Sequence, residues 1–317
     1  MADKYNGPHA AELALAFEIA AEAGRMITSA SAKRWQQSSS SELGASSEPG
    51  TKKNSVDLVT ETDQAVEKLV KERISSTFPD HKFIGEESYA GGDRPELTDE
   101  STWIVDPIDG TTNFVHGFPY VCISIGFCID KIPTLGVVYN PFLDQLYHAV
   151  RGQGAYLNKT TKLPLSQPQP LPLNSLGEAL IAVEWGSDRS KTVMDKKSNS
   201  MKKLAADGRE TQGGRMAHSL RSMGSAALNF AHVATGQLDM YQEIGCWSWD
   251  VCAGVVIARE AGGKVYGRHG GIFDEKALMG HHFFVIRAIA GSEKEKGEEI
   301  QDRLTKEFFE TIEDYDA

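Results

Sequence analysis

Apolar residues recur at helical spacing over residues 10–29, where Leu13, Phe17, Ala20, Gly24 and Ile27 share one face, and again over 62–78, where Val66, Leu69, Val70, Ile74 and Phe78 do. A period near 3.6 predicts two amphipathic helices there. From Trp103 onward the period shortens to two. Val121, Ile123, Ile125, Phe127 and Ile129 lie on one side of a strand over 120–130, and 134–140 and 145–151 read as further strands joined by a turn at Pro141. The second half switches back and forth. Strands are expected at 180–184, 218–222, 239–244, 264–266 and 282–289; helices are expected at 193–206, 226–236 and 250–261, with a charged amphipathic terminal helix over 293–312. Such interleaving predicts an α/β chain of stacked sheet and helix layers, and periodicity alone goes no further.

Two stretches carry no period. Residues 38–50 are rich in Ser, Gly and Glu and read as a flexible surface loop, an insertion. Residues 164–173 are Pro-rich and read as a connector in preference to a ligand for a Pro-recognition domain. The 317 residues read as one domain, 1–317, ending in a C-terminal helix and tail over 292–317. With 33 basic and 44 acidic residues the formal charge is −11, which disfavours nucleic acid and anionic membrane as partners. No apolar run approaches the ~20 residues of a membrane span. Neither Cys122, Cys128, Cys246 and Cys252 nor the nine histidines show zinc spacing. The thiols are expected to be reduced and buried, the histidines structural or exposed, and the protein cytoplasmic.

The chemistry concentrates in 103–114, Trp-Ile-Val-Asp-Pro-Ile-Asp-Gly-Thr-Thr-Asn-Phe. An apolar strand ends in the carboxylates of Asp106 and Asp109, and a Gly110-Thr111-Thr112 turn leads into a helix. Carboxylate and carbonyl oxygens are hard ligands that suit Mg²⁺, and N–H groups opening a helix can cradle an anion. Asp-Pro and Asp-Gly are also ordinary turn formers. Three further segments weigh against so plain a role. Residues 83–88 form an apolar stub ending at Gly85, Glu86 and Glu87, the last read as a solvated surface charge. Residues 57–63 open the second helix, where Thr62 or Asp63 would serve as a cap. Residues 243–250, Glu-Ile-Gly-Cys-Trp-Ser-Trp-Asp, precede an apolar helix whose dipole Asp250 would complement.

Together, in this order and spacing, these segments resemble the inositol monophosphatases, members of a Mg²⁺-dependent, lithium-sensitive sugar-phosphatase superfamily. The resemblance rests on Gly85-Glu86-Glu87, on 103–114, and on Trp249-Asp250 ahead of Ala253-Gly254 and 260–263, and it extends from about residue 10 to about residue 291. It implies a layered αβαβα sandwich, an α/β (α+β) fold. It also implies that Glu86, Asp106 and the Ile108 carbonyl hold one Mg²⁺ and that Asp106, Asp109 and Asp250 hold a second. A third, weaker ion would rest mainly on water with help from Glu86. Thr111, oriented by Asp63, would position the attacking water together with Glu86. The N–H groups of Gly110 and Thr111 would bind phosphate. Asp109, Glu243, Asp250 and the Ala226 backbone would meet the inositol hydroxyls. Lys52 matches a basic residue of a variable active-site loop. Lithium inhibition, with Li⁺ in the second position, and a homodimer are further implications.

Two metal ions roughly 3.5–4 Å apart meet both obstacles to phosphate-monoester hydrolysis, the repulsion of the nucleophile and the charge on the leaving alkoxide. The reading is therefore a phosphatase for a small-molecule phosphate ester, inositol 1-phosphate first. The alternatives are a broader sugar- or nucleotide-phosphate phosphatase of the same superfamily and a catalytically idle regulatory relative. Glu243 favours inositol, since a carboxylate there accepts a pair of vicinal hydroxyls; intact Glu86, Asp106, Asp109, Thr111 and Asp250 speak against idleness. The chain departs from the family pattern at 246–249, Cys-Trp-Ser-Trp, where animal members carry Ile-His-Cys-Trp. Spacing from Glu243 to Asp250 is kept, so the change falls on the substrate mouth. Trp247 and Trp249 are expected to pack beneath the site. The basic stretch of Lys196, Lys197, Lys202 and Lys203 would bear on access or on the dimer surface.

Overall fold

The computed structural model describes residues 7–39, 50–51 and 58–316. The two helical-period segments form α1 (Ala10–Ser39) and α2 (Glu61–Thr77), separated in the chain by a short antiparallel ladder of β1 (Gly50–Thr51) and β2 (Leu58–Val59). Both helices lie on one face of a seven-stranded sheet. Its strands run in chain order across the sheet: β3 (Lys82–Gly85), β4 (Thr102–Asp109), β5 (Cys122–Ile129), β6 (Ile132–Asn140), β7 (Gln145–Val150), β8 (Ala155–Leu157) and β9 (Thr161–Lys162). Only β3 and β4 are parallel.

Alternation along β5 decides what each face touches. Ile123, Ile125 and Phe127 join Ile19 and Ala23 of α1 and Val66 and Val70 of α2 in one core. Cys122 and Cys128 point to the other side, into a core shared with α6 (Ala226–Thr235) and α7 (Ser248–Glu260), as a period of two requires. α7 is buried along nearly its whole length from Val251 to Ala258, the expected place for a helix that is apolar all round.

Beyond α6 and α7 lies a five-stranded sheet in the order β11 (Ser219–Arg221), β10 (Leu180–Val183), β12 (Met240–Ile244), β14 (His282–Ile286), β13 (Lys264–Tyr266). Phe283 and Val285 face α6 and α7, while Phe284 and Ile286 face Leu204 of α5 (Lys191–Ala205) and Leu304 and Phe308 of α9 (Gly297–Thr311). The layers therefore run α1–α2, sheet, α6–α7, sheet, α5–α9: the αβαβα sandwich. Near the start of β12 the Arg287 Nε lies 2.6 Å from Asp239 Oδ1, and the rest of the guanidinium donates to the carbonyls of Leu171, Pro172 and Ala288, tying the Pro-rich connector to the sheet. Among the described residues no helix is long and apolar enough to cross a membrane.

Several expected boundaries move. α1 continues to Ser39, ten residues beyond the apolar stripe, and residues 40–49 of the expected loop lie outside the described residues, as does Lys52. β4 does not stop before the motif but runs through both carboxylates, because β5 pairs with it to Asp109 across a bulge between Asp106 and Asp109. Pro107, which has no N–H to donate, sits inside that irregularity. The N-cap residue of α2 is Thr60 and not Thr62, while Asp63 takes part in the cap as expected, closing a capping box by accepting the Thr60 N–H. α9 starts at Gly297 and not at 293. The short elements α3 (Glu86–Ala90), α4 (Thr111–His116), α8 (Glu275–Leu278), β8 and β9 are too brief to show a period. All four cysteines are free and buried; Cys128 lies beside Cys252, with Sγ atoms 3.6 Å apart.

Candidate active site

The bulge in β4 is what aims Asp106 and Asp109. Asp106 stands opposite Ser124 and Asp109 opposite Cys122, so β4 uses one residue more than β5 over the same span. The Ile108 N–H turns back to Asp106 Oδ1 at 2.9 Å. Asp250 arrives from the other side on the first turn of α7, where its Oδ2 accepts the Trp247 N–H at 2.5 Å. Because α7 is locked between the two sheets, its first turn is fixed relative to β4. Asp106, Asp109 and Asp250 each place a carboxylate oxygen within 4.8 Å of the others.

Burial pushes the carboxyls of Asp106 and Asp250 well above the usual range, and the neighbouring carboxylates add to this. Asp109 is pushed up to about 7 by burial, against the hydrogen bonds its Oδ2 accepts from Ser225 Oγ at 2.7 Å and the Ala227 N–H at 2.6 Å. Among the described residues no lysine or arginine forms an ion pair with any of the three. Like charges held together out of water are costly unless a counter-charge is supplied. Oxygen-only donors, negative and preformed, fit a hard divalent cation of the Mg²⁺ type.

Glu86, the first residue of α3, stands beside Asp106 within hydrogen-bonding reach. Its position is set by Glu67 of α2, whose carboxylate accepts the N–H groups of Glu87 (2.6 Å) and Ser88 (2.7 Å) and the Ser88 hydroxyl (2.5 Å). A Cβ on Gly85 would come within 2.6 Å of Glu67 Oε2, so glycine is what lets that carboxylate reach the start of α3. Asp63 accepts from the Thr60 N–H and hydroxyl through Oδ2 and from the Thr111 hydroxyl through Oδ1 at 3.0 Å. Burial pushes it up to about 6, against the Thr60 and Thr111 hydrogen bonds. The Thr111 Oγ1 also lies 3.1 Å from the Ile108 carbonyl. Gly110 initiates α4 at φ +94°, where a Cβ would meet the Tyr120 carbonyl at 2.8 Å, so only glycine makes this turn.

These residues open onto a cleft of about 1460 Å³ lined by Glu86, Asp109, Ala226, Glu243 and Asp250. Glu243 comes from β12; the Tyr241 hydroxyl donates to its Oε2. Burial pushes Glu243 up to about 8, with Glu184 adding and Tyr241 and Lys197 opposing. The Ala226 N–H is directed at the Asp109 carboxylate. Of the expected site residues, Glu86, Asp109, Ala226, Glu243 and Asp250 line this cleft, and Asp63, Asp106, Ile108 and Thr111 are joined to them by the contacts above.

Sequence reasoning missed the groups that build its walls. Glu184 takes the N–H groups of Met223 (2.8 Å) and Gly224 (3.0 Å), the Ser222 hydroxyl and the Asn229 amide. Asn113 donates to the carbonyls of Tyr120 and Met223. Both clamp the loop ahead of α6. Glu184 ends an apolar strand, the same signal that marked Asp106. Two expectations need correction. Lys197 is not part of a basic surface: it is buried, and its ammonium donates to the Glu184 and Trp185 carbonyls, because it lies on the inner face of α5. Trp249 packs beneath the site as expected, but Trp247 does not: it is 38 % exposed on the cleft wall, since it precedes α7 and the tightly packed helix leaves no room behind it.

A family model described as the inositol monophosphatase family matches residues 10–310. The chain is 38 % identical over 316 residues to the "Quinic acid degradation cluster protein x" of Neurospora crassa, covering 94 % of this chain and 92 % of that one. It is 48 % identical over 223 residues to "Inositol monophosphatase 2" of Saccharomyces cerevisiae, covering 68 % and 71 %. The structure of the inositol monophosphatase from Anabaena superposes with a TM-score of 0.70 at 28 % identity, over 95 % of this chain and 96 % of that one.

Proposed function

The chain belongs to the inositol monophosphatase family, and on that premise we propose that it hydrolyses inositol 1-phosphate to myo-inositol and phosphate in a Mg²⁺-dependent reaction. The observation that carries the reading is the Asp106–Asp109–Asp250 triad, buried but for the part-exposed Asp250, set against the Asp63–Thr111 hydrogen bond. Glu86, Asp106 and the Ile108 carbonyl would hold one ion; Asp106, Asp109 and Asp250 would hold another. When bound, the ions supply Lewis-acid stabilisation of the phosphoryl and leaving-group charge and make water a better nucleophile at neutral pH.

The chain's own groups do the positioning. Thr111 has a single hydroxyl proton. With Asp63 Oδ1 as its acceptor, Oγ1 presents a lone pair to a proton of the attacking water. The Glu86 carboxylate accepts the water's other proton. The water oxygen bonds to phosphorus as the ester P–O bond breaks, and a proton ends on the leaving oxygen as an inositol hydroxyl. The N–H groups of Gly110 and Thr111 meet the phosphate oxygens, and Glu243, Asp109, Asp250 and the Ala226 backbone meet the ring hydroxyls. Li⁺ in place of the second ion inhibits in this reading, and the enzyme works as a cytoplasmic homodimer of one-domain chains.

A second reading is favoured by the Neurospora relative, whose name ties that protein to quinic acid degradation: the ester here would carry another polyhydroxylated ring. The deciding experiment is phosphate release from inositol 1-phosphate with Mg²⁺, with and without chelator, beside fructose 1,6-bisphosphate and 3′-phosphoadenosine 5′-phosphate. Selective, chelator-sensitive release from inositol 1-phosphate is expected. Preference for another ester transfers the mechanism to that substrate, and no release from any, with Mg²⁺ still bound, overturns the catalytic assignment.

A further inference from the structure

The cleft carries an aromatic wall that the hydrolytic chemistry does not use. The Trp247 indole stacks on Trp249, with centroids 5.1 Å apart and planes 6° from parallel. Tyr89 leans against both at 5.2 and 5.1 Å, and His281 meets Trp247 at right angles, 4.3 Å between centroids. The backing is rigid. Trp249 is only 4 % exposed, His281 Nδ1 lies 3.0 Å from the Cys246 carbonyl, and the Arg94 guanidinium covers the Tyr89 ring at 3.9 Å. An aromatic surface already immobilised by its neighbours loses little freedom when a ligand covers it.

The wall is also placed relative to the acidic centre. Trp247 lies three residues before Asp250, and its N–H holds the Asp250 carboxylate. Side-chain replacement at 247 leaves that backbone donor in place. Elsewhere in the same cleft stand Asp188 and Glu243, whose carboxyl oxygens can accept hydrogen bonds. An electron-rich ring face on one wall and acceptors on others suit a saturated ring, with C–H bonds presented to the indole and hydroxyls turned to the carboxylates.

We propose that Trp247 is the stacking platform for the ring of a cyclic polyol phosphate and sets selectivity for ring alcohols over open-chain ones; this rests on the phosphatase reading above. The test measures kcat/KM for inositol 1-phosphate and for the acyclic glycerol 2-phosphate in the wild type, Trp247→Leu and Trp247→Phe, with Mg²⁺ present. The ring-to-acyclic ratio is expected to fall about tenfold in Trp247→Leu, mainly through KM, and to recover in part in Trp247→Phe. An unchanged ratio across the three proteins overturns the proposal. Saturation-transfer NMR of myo-inositol with the same proteins separates this from the catalytic reading. Transfer to the ring C–H protons in the wild type that is lost in Trp247→Leu sustains the platform even if no ester is hydrolysed, and equal transfer in both rejects it even if hydrolysis proceeds.

Discussion

Asp239 in the five-stranded sheet and Asp106 at the bulge of the seven-stranded sheet are both carboxylates drawn out of water beside a strand, yet they are treated differently. Asp239 faces the Arg287 guanidinium at 2.6 Å and takes the Leu180 N–H at 2.7 Å. Asp106 faces Asp109 and Asp250. A charge that only joins parts of the chain is balanced within the chain. A charge that the chain gathers and leaves unbalanced lowers the stability of the isolated protein, and the deficit becomes affinity for a cation from outside.

The largest effect expected from this contrast is on turnover. Asp106→Asn should cut kcat by at least about 10³-fold, while calorimetry shows the metal-free variant as stable as wild type or more so, because a repelling charge is gone. Mg²⁺ at 100 times its Kd should stabilise the wild type by about 2.7 kcal/mol and the variant by less. Retained turnover in Asp106→Asn would remove the functional half of the comparison. Its counterpart is Arg287→Ala, which strands Asp239 and should cost about 3–5 kcal/mol in urea denaturation with kcat per folded molecule unchanged.

Acidity sharpens the contrast further. Asp109 has its carboxyl raised from 3.8 to about 7 in the fold, so the folded state binds the proton more tightly. Its contribution to stability is complete below about pH 4 and is lost as pH rises towards 7. The metal-free wild type should therefore lose on the order of 3 kcal/mol relative to Asp109→Asn between pH 4 and 8, a trend that saturating Mg²⁺ flattens. Thermal midpoints of both proteins across that range check it. The smallest of these effects is Thr111→Ala, expected to lower kcat by about 10² with little change in thermal midpoint; Thr111→Ser, which keeps the hydroxyl, should retain most of the rate.

The layers were legible because β5 alternates, β14 is an unbroken apolar run from Phe283 to Ile286 buried on both faces and α7 is apolar all round; parity alone assigns Ile123 and Cys122 to opposite cores. The acids of the centre stood out because each interrupts, follows or opens an apolar run. Glu67 did not, since its carboxylate acts through the backbone of α3, twenty residues away and with no period of its own. Asn113 and Ser225 carried no signal of their own, because their partners are remote in the chain: the Asn113 amide reaches a carbonyl 110 residues on, and Ser225 reaches Asp109. Trp247 was misplaced because composition does not distinguish an indole under a helix from one beside its first turn. Lys197 was misread because three other lysines nearby suggested a solvated face.

Asp109 and Asp250 stand 141 residues apart, and the groups that fix Asp109, Ser225 and Ala227, come from α6. During synthesis the first sheet can therefore leave the ribosome with two of the three acids of the triad in hand and the third still missing. Only when the chain beyond residue 250 has emerged and α7 has been inserted between the sheets is the triad complete. The complete triad is thus a feature of the assembled molecule alone, closed by the helix layer that lies between the two sheets.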